Sequence, residues 1–243
     1  DVLALTELTY LPFGHIVPQG DTIGIPVRLS DAMELIDRTT DFIVSNQHLQ
    51  LVDELATSKR FKNIKLLNYV DEYDPDVQKQ FAAMTYRLSL DTYLVVFRGT
   101  DDTLIGWKED FHMTYMDHVP AQKRAASYLQ HVMKEFPKGR FLVAGHSKGG
   151  NLATYACSYL PDSLFERVDA IYSYDAPGLN KAIIETEGYQ RTSPNIRRFV
   201  PQGSIVGMML EVPEPTTIVK SSALGGFAQH DAFTWEIKDY SFV

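Results

Sequence analysis

One stretch of eleven residues constrains the fold of this chain more than any other. It covers residues 141–151 and reads FLVAGHSKGGN. Apolar residues run directly into the pattern G-x-S-x-G, and small residues follow it. This order predicts a buried strand, a sharp turn and a helix, with Ser147 at the tip of the turn. Gly145 and Gly149 are expected where side chains would collide as the strand and the helix pack closely.

A strand–turn–helix unit of this kind is typical of the nucleophile elbow of an α/β-hydrolase, whose strained turn points the serine oxygen into a cleft. The same five-residue pattern also occurs by chance in glycine-rich loops. The apolar run before Ser147 and the helix-forming run at 151–156 favour the elbow. Farther along the chain, predicted strands alternate with predicted helices. The sequence therefore predicts an α/β-hydrolase fold with a mostly parallel central sheet and helices on both faces.

The predicted secondary structure follows from apolar periodicity and from proline and glycine breaks. A short helix or an extended arm is expected at 3–13, one or two helices at 31–58, and a turn at 71–76. Strands are predicted at 63–70, 81–88, 92–97, 168–174, 196–200 and 216–220, and helices at 120–136, 149–159 and 181–189. The segment 233–237 closes the chain. We expect one domain spanning 1–243, with residues 1 to about 60 as a helical lead-in or cap.

Composition excludes several classes of protein. The chain has 243 residues, a net charge of −8 and a single cysteine, Cys157, so an intramolecular disulfide is excluded. No cluster of lysines and arginines is present, which argues against nucleic-acid binding. No apolar run approaches the ~18 residues of a membrane-spanning helix. A basic and apolar leader is also missing from the given N-terminus, so a cytoplasmic location is predicted.

Histidine positions relative to Ser147 provide a test of the elbow. In α/β-hydrolases the order along the chain is nucleophile, acid, histidine. Six of the seven histidines precede Ser147, and only His230 follows it, on a predicted loop after the last strands. His230 is therefore the predicted general base, the alternative being an ordinary surface histidine. His146, inside the elbow, is expected to pack or to support other residues.

The triad acid must come from a carboxylate between Ser147 and His230. Its place should be beyond the carboxyl end of a parallel strand. Asp175 directly follows the strand after the elbow, so it is the predicted acid. The rival interpretation is that Asp175 caps the turn before Pro177. The other carboxylates weighed are Asp162, Glu166, Asp169, Glu185, Glu187, Glu211, Glu214 and, directly beside the histidine, Asp231.

An oxyanion hole needs two donors. One is expected to be the backbone N–H of Lys148, the residue after the nucleophile. The other is expected at Thr100, which follows Arg98 and Gly99 at the end of a buried strand. The alternative is a simple strand-end turn in which Arg98 pairs with a carboxylate.

Together these motifs resemble the class 3 lipases and, more closely, an uncharacterised bacterial family of lipase-like serine hydrolases. The resemblance rests on FRGT at 97–100, Trp107 and Asp110, AGHSKGGNLA at 144–153, YDAPG at 174–178, SIVG at 204–207, QHD at 229–231 and Trp235. It implies that Thr100 supplies an oxyanion donor, Ser147 the nucleophile and His230 the base. One position departs from the pattern, because Ser204 stands where class 3 lipases carry their acid. Either the acid has moved to Asp175 or the triad is incomplete.

The sequence thus predicts a serine hydrolase that cleaves carboxylic esters through an acyl-enzyme, resembling a lipase or a lysophospholipase. No metal or organic cofactor is implied, and the expected partner is a small-molecule or lipid ester. The alternatives are a thioesterase, a peptidase or an acyltransferase with the same triad, or a non-catalytic binding protein of this fold. A group of apolar residues before His230 either lines an acyl pocket or belongs to the core: Met208, Met209, Leu210, Leu224 and Phe227.

Overall fold

The computed structural model describes residues 1–20, 24–40, 44–74, 76, 79–99 and 118–243. Eight strands form one sheet in which strands adjacent along the chain are adjacent in space. They are β1 (Val27–Arg28), β2 (Lys65–Asp74), β3 (Lys79–Arg87), β4 (Thr92–Phe97), β5 (Arg140–His146), β6 (Val168–Tyr174), β7 (Ile196–Pro201) and β8 (Thr216–Val219). Strands β1 to β4 pair antiparallel, and β4 to β8 pair parallel.

The helices of the described chain lie before β2 and between the parallel strands. They are α1 (Val2–Leu8), α2 (Leu29–Leu35), α3 (Asn46–Thr57), α4 (Pro120–Glu135), α5 (Lys148–Ser158), α6 (Asp162–Phe165), α7 (Lys181–Ile184) and α8 (Glu187–Thr192). A two-stranded hairpin of β9 (Ile237–Lys238) and β10 (Ser241–Phe242) follows near the end of the chain. None of the helices described is both long enough and apolar enough to cross a membrane.

Most predicted elements are confirmed. Two predictions are wrong in detail, namely the start of one turn and the continuity of one helix. The turn predicted at 71–76 begins too early, because β2 continues to Asp74 in register with β3. The single helix predicted at 181–189 is two short helices. Thr186 ends the first and caps the second, since its hydroxyl accepts the N–H of Tyr189.

The direct strand order determines where the helices lie. In this sheet each parallel strand is added on the same side of the strand before it. Because the crossovers between parallel strands are right-handed, every crossover helix then lies on one face of the sheet. Residues of α4, α5 and α8 accordingly share one core with Tyr93, Val95 and Phe97 of β4. The alternate residues Leu94 and Val96 point to the opposite face. That face needs a separate cover.

The N-terminal helices provide that cover. Residues of α1, α2 and α3 form a second core against the sheet, in which Leu5 and Leu8 of α1 pack with Ala144 near the end of β5. The predicted arrangement of a mostly parallel sheet with helices on both faces is confirmed. As a consequence, α1 lies directly beneath the end of the strand that leads to Ser147.

Candidate active site

Ser147 lies at a strained turn between β5 and α5. Its backbone has φ 57° and ψ −134°, which a residue with a side chain rarely adopts. Its N–H donates to the carbonyl of Tyr174 on the neighbouring strand at 2.9 Å. A Cβ on Gly145 would lie 2.1 Å from the carbonyl carbon of Gly149, and one on Gly149 would lie 2.1 Å from the oxygen of Phe97. Close packing of strand and helix thus requires both glycines.

The structure brings Asp175 and His230 together. Nδ1 of His230 lies 2.6 Å from Oδ2 of Asp175, although 55 residues separate them in sequence. Asp175 follows the last residue of β6 and is fully buried, whereas the His230 side chain is 24% exposed. His230 is the last residue of a 3₁₀ turn, Gly226–His230, rather than part of an open loop. A buried carboxylate therefore faces a histidine that reaches solvent.

Ser204 holds the other oxygen of the same carboxylate. Its hydroxyl donates to Oδ1 of Asp175 and accepts the N–H of Gly207 at 2.8 Å. Both oxygens of Asp175 are engaged by side chains, whereas the capping alternative would have turned them towards the backbone before Pro177. Sequence reasoning identified Ser204 only as the position that lacks an acid. Its contact with Asp175 spans 29 residues and leaves no local sequence signal.

A second histidine lies behind His230. Nε2 of His146 is 2.9 Å from the backbone oxygen of His230, and the two rings are 4.6 Å apart between centroids. Nδ1 of His146 is 3.2 Å from Oε1 of Glu7, a buried residue of α1. The other oxygen of Glu7 lies 3.8 Å from Nε2 of His48. Glu7 was not predicted from the sequence as a site residue. The signal that could have indicated it is a charged residue between Leu5 and Leu8 on a mostly apolar helix.

This environment shifts three pKa values. Burial lowers the pKa of His230 below its ordinary value, and the neighbouring charge of His146 acts in the same direction, against the opposing effect of Asp175. Burial also opposes the charged forms of Glu7 and His146, but their mutual attraction outweighs it. The pKa of Glu7 is therefore lowered and that of His146 raised. The charged pair Glu7–His146 is the favoured state.

The predicted oxyanion donors lie partly within the described structure. Lys148 is the first residue of α5, and N–H groups in the first turn have no partner inside the helix. Its side chain is buried, and the ammonium donates to the carbonyl of Gln80 at 3.0 Å. Thr100, like Trp107 and Asp110 of the motif set, lies outside the described residues. Gly99 is described, and a Cβ on it would lie 3.1 Å from Cβ of Ser147.

Arg98 makes the ion pair that the alternative interpretation of this strand end required. Its two terminal nitrogens lie 2.9 and 3.0 Å from the carboxylate oxygens of Asp71. This pair is compatible with either interpretation, because it involves the side chain of Arg98, whereas the N–H of the next residue, Gly99, donates to the hydroxyl of Tyr10 at 3.1 Å.

Several other carboxylates have structural roles elsewhere. Asp169 pairs with Arg140 at the amino end of the parallel strands. Asp231 accepts the N–H of Phe233 at 2.9 Å and so caps the short turn that follows His230. Glu214 accepts the hydroxyl of Tyr189. Within the described ranges, no cluster of histidine, cysteine, aspartate and glutamate is placed to hold a metal ion.

Exposed apolar side chains occupy the two loops that carry Ser204 and His230. Leu224 is 99% and Phe227 63% exposed, and Met208 and Ile205 are also exposed. The loops are adjacent, since a Cβ on Gly226 would lie 3.6 Å from Cδ1 of Ile205. We call these four residues the apolar rim. The interpretation that Met208, Leu224 and Phe227 belong to the core is wrong.

The sheet, its helix layers and the strained serine turn define an α/β-hydrolase. The family model described as Mbeg1-like matches residues 55–243, so the chain belongs to the Mbeg1-like family. A search of curated proteins returned no match.

Solved structures with the same fold include fungal lipases. One is a mono- and diacylglycerol lipase from Aspergillus oryzae, at 15% identity and a TM-score of 0.58, covering 93% of this chain and 81% of that one. Another is a mutant form of MDLA from Penicillium cyclopium, at 15% identity and a TM-score of 0.56, covering 98% and 83%. At these identities the likeness shows the fold.

Proposed function

We propose that this protein is a serine hydrolase that cleaves carboxylic esters with Ser147 as nucleophile, His230 as general base and Asp175 as the triad acid. The observation that carries the proposal is the 2.6 Å contact between His230 and the fully buried Asp175. Ser147 lies on a strained turn at the end of the adjacent strand, where a nucleophile elbow belongs. All three residues occur in the order expected for this fold.

The mechanism follows from these roles. His230 takes the proton of the Ser147 hydroxyl as its oxygen attacks the ester carbonyl. Asp175 orients the imidazole ring and stabilises the imidazolium. The oxyanion is stabilised by the N–H of Lys148 and by Thr100.

The acyl-enzyme forms when the ester C–O bond breaks and the alcohol leaves with the proton held by His230. A water molecule then attacks the acyl group of Ser147 and gives a proton to the same histidine. The free acid leaves, and the proton returns to the serine oxygen. This chemistry consumes one water per ester and calls for no cofactor.

The position of the acid is the least usual part of this proposal. Asp175 follows β6, whereas the acid of class 3 lipases belongs at the position of Ser204. Burial of Asp175 and the engagement of both its oxygens support its role, because a triad acid must be held in one orientation. In this proposal Asp175 does the task of the acid that class 3 lipases carry at the position of Ser204, and Ser204 stabilises Asp175 through a hydrogen bond.

The apolar rim favours an ester with a long hydrocarbon chain. Exposed leucine and phenylalanine side chains beside His230 provide a surface for an acyl chain or a lipid. The structural likeness to a protein described as a mono- and diacylglycerol lipase agrees with this substrate class. We therefore propose a lipase-like esterase, with a lysophospholipid as one candidate substrate.

Hydrolysis of p-nitrophenyl esters of increasing chain length tests the proposal. The parent protein should release p-nitrophenol, and Ser147→Ala should not. A matched series of acyl thioesters distinguishes a thioesterase, which would prefer the thioester at every chain length. A parent protein that cleaves neither series would contradict the proposal and favour a binding protein of this fold.

A further inference from the structure

His146 faces an oxygen atom at each of its ring nitrogens. Nε2 lies 2.9 Å from the backbone oxygen of His230, which can only accept a hydrogen bond. Nδ1 lies 3.2 Å from Oε1 of Glu7. A neutral imidazole carries one N–H, which the contact with His230 already uses. A second proton between Nδ1 and the carboxyl group of Glu7 would replace the repulsion of two facing acceptors by an attraction.

Glu7 supplies the reason for that second proton to lie on His146. Glu7 is 6% exposed, and its Oε1 accepts no hydrogen bond of regular geometry from the described residues. A buried carboxylate in this position needs a counter-charge. The imidazolium of His146 provides it, and the directions of both pKa shifts agree.

The resulting pair lies against the proposed base. The His146 ring is 4.6 Å from the His230 ring between centroids, and its Nε2–H anchors the backbone of His230. The charged groups that face His230 are Asp175, His146 and Glu7, and the effect of His146 exceeds that of Glu7. His48 faces Glu7 from the other side. A positive charge beside the His230 ring opposes its protonation.

We propose that Glu7 and His146 are positioning residues for His230: they fix its backbone and keep its ring in the neutral form that accepts a proton. This inference rests on the proposed function, in which His230 is the general base. Glu7 belongs to α1, outside the residues 55–243 that match the family model. The N-terminal helix therefore helps to position His230 as well as covering the sheet.

Glu7→Gln separates the charge from the shape of this pair. Without the carboxylate, His146 becomes neutral and still donates to His230 through Nε2. Loss of the positive charge makes His230 easier to protonate. The rate at which Ser147 reacts should fall at low pH as His230 becomes protonated, and we call this fall the acid limb. In Glu7→Gln the acid limb should move to higher pH by at least about half a unit.

The rate at which a fluorophosphonate labels Ser147, measured from pH 4 to 9, gives this limb without a known substrate. Glu135→Gln is the matched control. Glu135 pairs with His131 at 3.1 Å but lies at the end of α4, on the other face of the sheet. The Glu135→Gln variant should show the acid limb at the same pH as the parent protein.

His146→Gln provides a second test that does not depend on the folding of the first variant. The amide removes the charge but retains a donor for the His230 carbonyl, so the limb should again move to higher pH. If the parent is labelled and both variants keep its limb or move it to lower pH, the inference is overturned while the proposed function stands. If the parent is not labelled at any pH, the proposed function itself fails.

Discussion

Ser147 and Asp175 leave neighbouring parallel strands at the same level of the sheet. The residues before them, His146 and Tyr174, are paired across β5 and β6. Both residues also have a positive φ, 57° for Ser147 and 40° for Asp175. Two consecutive strands thus end in matching sharp turns. This arrangement places Ser147 and Asp175 side by side at one edge of the sheet, and His230, which arrives from a later turn, contacts Asp175.

Replacement of the proposed acid should impair turnover while leaving the fold intact. Asp175→Asn cannot stabilise the imidazolium and favours the wrong ring tautomer, so we expect kcat to fall at least ~100-fold. Asp231→Asn is the control, because Asp231 adjoins His230 in sequence but only caps a turn. Steady-state kinetics on one ester compares the two. Equal loss in both variants would contradict the assignment of Asp175.

Ser204 should matter through its contact with the buried carboxylate. Ser204→Ala leaves Oδ1 of Asp175 without its donor, and a hydrogen bond to a charged group contributes about 1.5–3 kcal/mol. We expect kcat/KM to fall about tenfold, with a lower free energy of unfolding. Ser222→Ala, at an exposed serine whose hydroxyl donates to the Thr234 carbonyl, should change neither quantity. Parental activity in Ser204→Ala would exclude a role for this contact.

The strained turn at Ser147 predicts an unusual order of stability. Both Ser147→Gly and Ser147→Ala remove the nucleophile, but only glycine adopts a positive φ without strain. The glycine variant should be more stable than the alanine variant by about 1 kcal/mol. At Ser193, where φ is −49° and ψ is −43°, the order should reverse. Chemical denaturation of all four variants measures these differences.

The apolar rim should influence long substrates selectively. Phe227→Ser removes an exposed aromatic side chain beside the site, so KM for a long-chain ester should rise about tenfold. KM for a p-nitrophenyl acetate substrate should stay at the parental value. Tyr240→Ser, at a fully exposed residue of the C-terminal hairpin, is the control. An equal effect on both chain lengths would place Phe227 outside the acyl-binding surface.

The pH profile of the parent follows from the lowered pKa of His230. The base must be neutral to accept the proton of Ser147, so activity is lost as pH falls through its pKa. Because burial and His146 lower that pKa, the acid limb should have its midpoint below the ordinary histidine value of 6.5. The dependence of kcat/KM on pH measures the midpoint. A midpoint above 6.5 would contradict the described environment of His230.

Much of this molecule could be predicted from sequence because the deciding signals are local. The elbow occupies a few consecutive residues, and β4 and β6 agree with their predicted bounds. The contact between Asp175 and His230 also followed from strand order, since the ends of parallel strands meet at one edge. The catalytic roles of these residues stay predictions, as does the single domain over 1–243.

The contacts that escaped prediction are those that join distant segments. Glu7 and His146 are 139 positions apart, and only the packing of α1 under β5 brings them together. The function of α1–α3 as the second layer likewise depends on the direct strand order, which no local pattern encodes. The sequence left an acyl pocket and the core as alternatives for the apolar residues from Met208 to Phe227, and the loops expose several of them.

The assignment of Ser147 as nucleophile is tested by locating the site of covalent labelling. The parent, Ser147→Ala and Asp175→Asn would each be treated with a fluorophosphonate, digested and analysed by mass spectrometry. We expect one modified peptide in the parent with the label on Ser147, none in Ser147→Ala, and labelling at least ~100-fold slower in Asp175→Asn. Modification of another residue, or a parent that stays unlabelled, would contradict a nucleophilic role of Ser147.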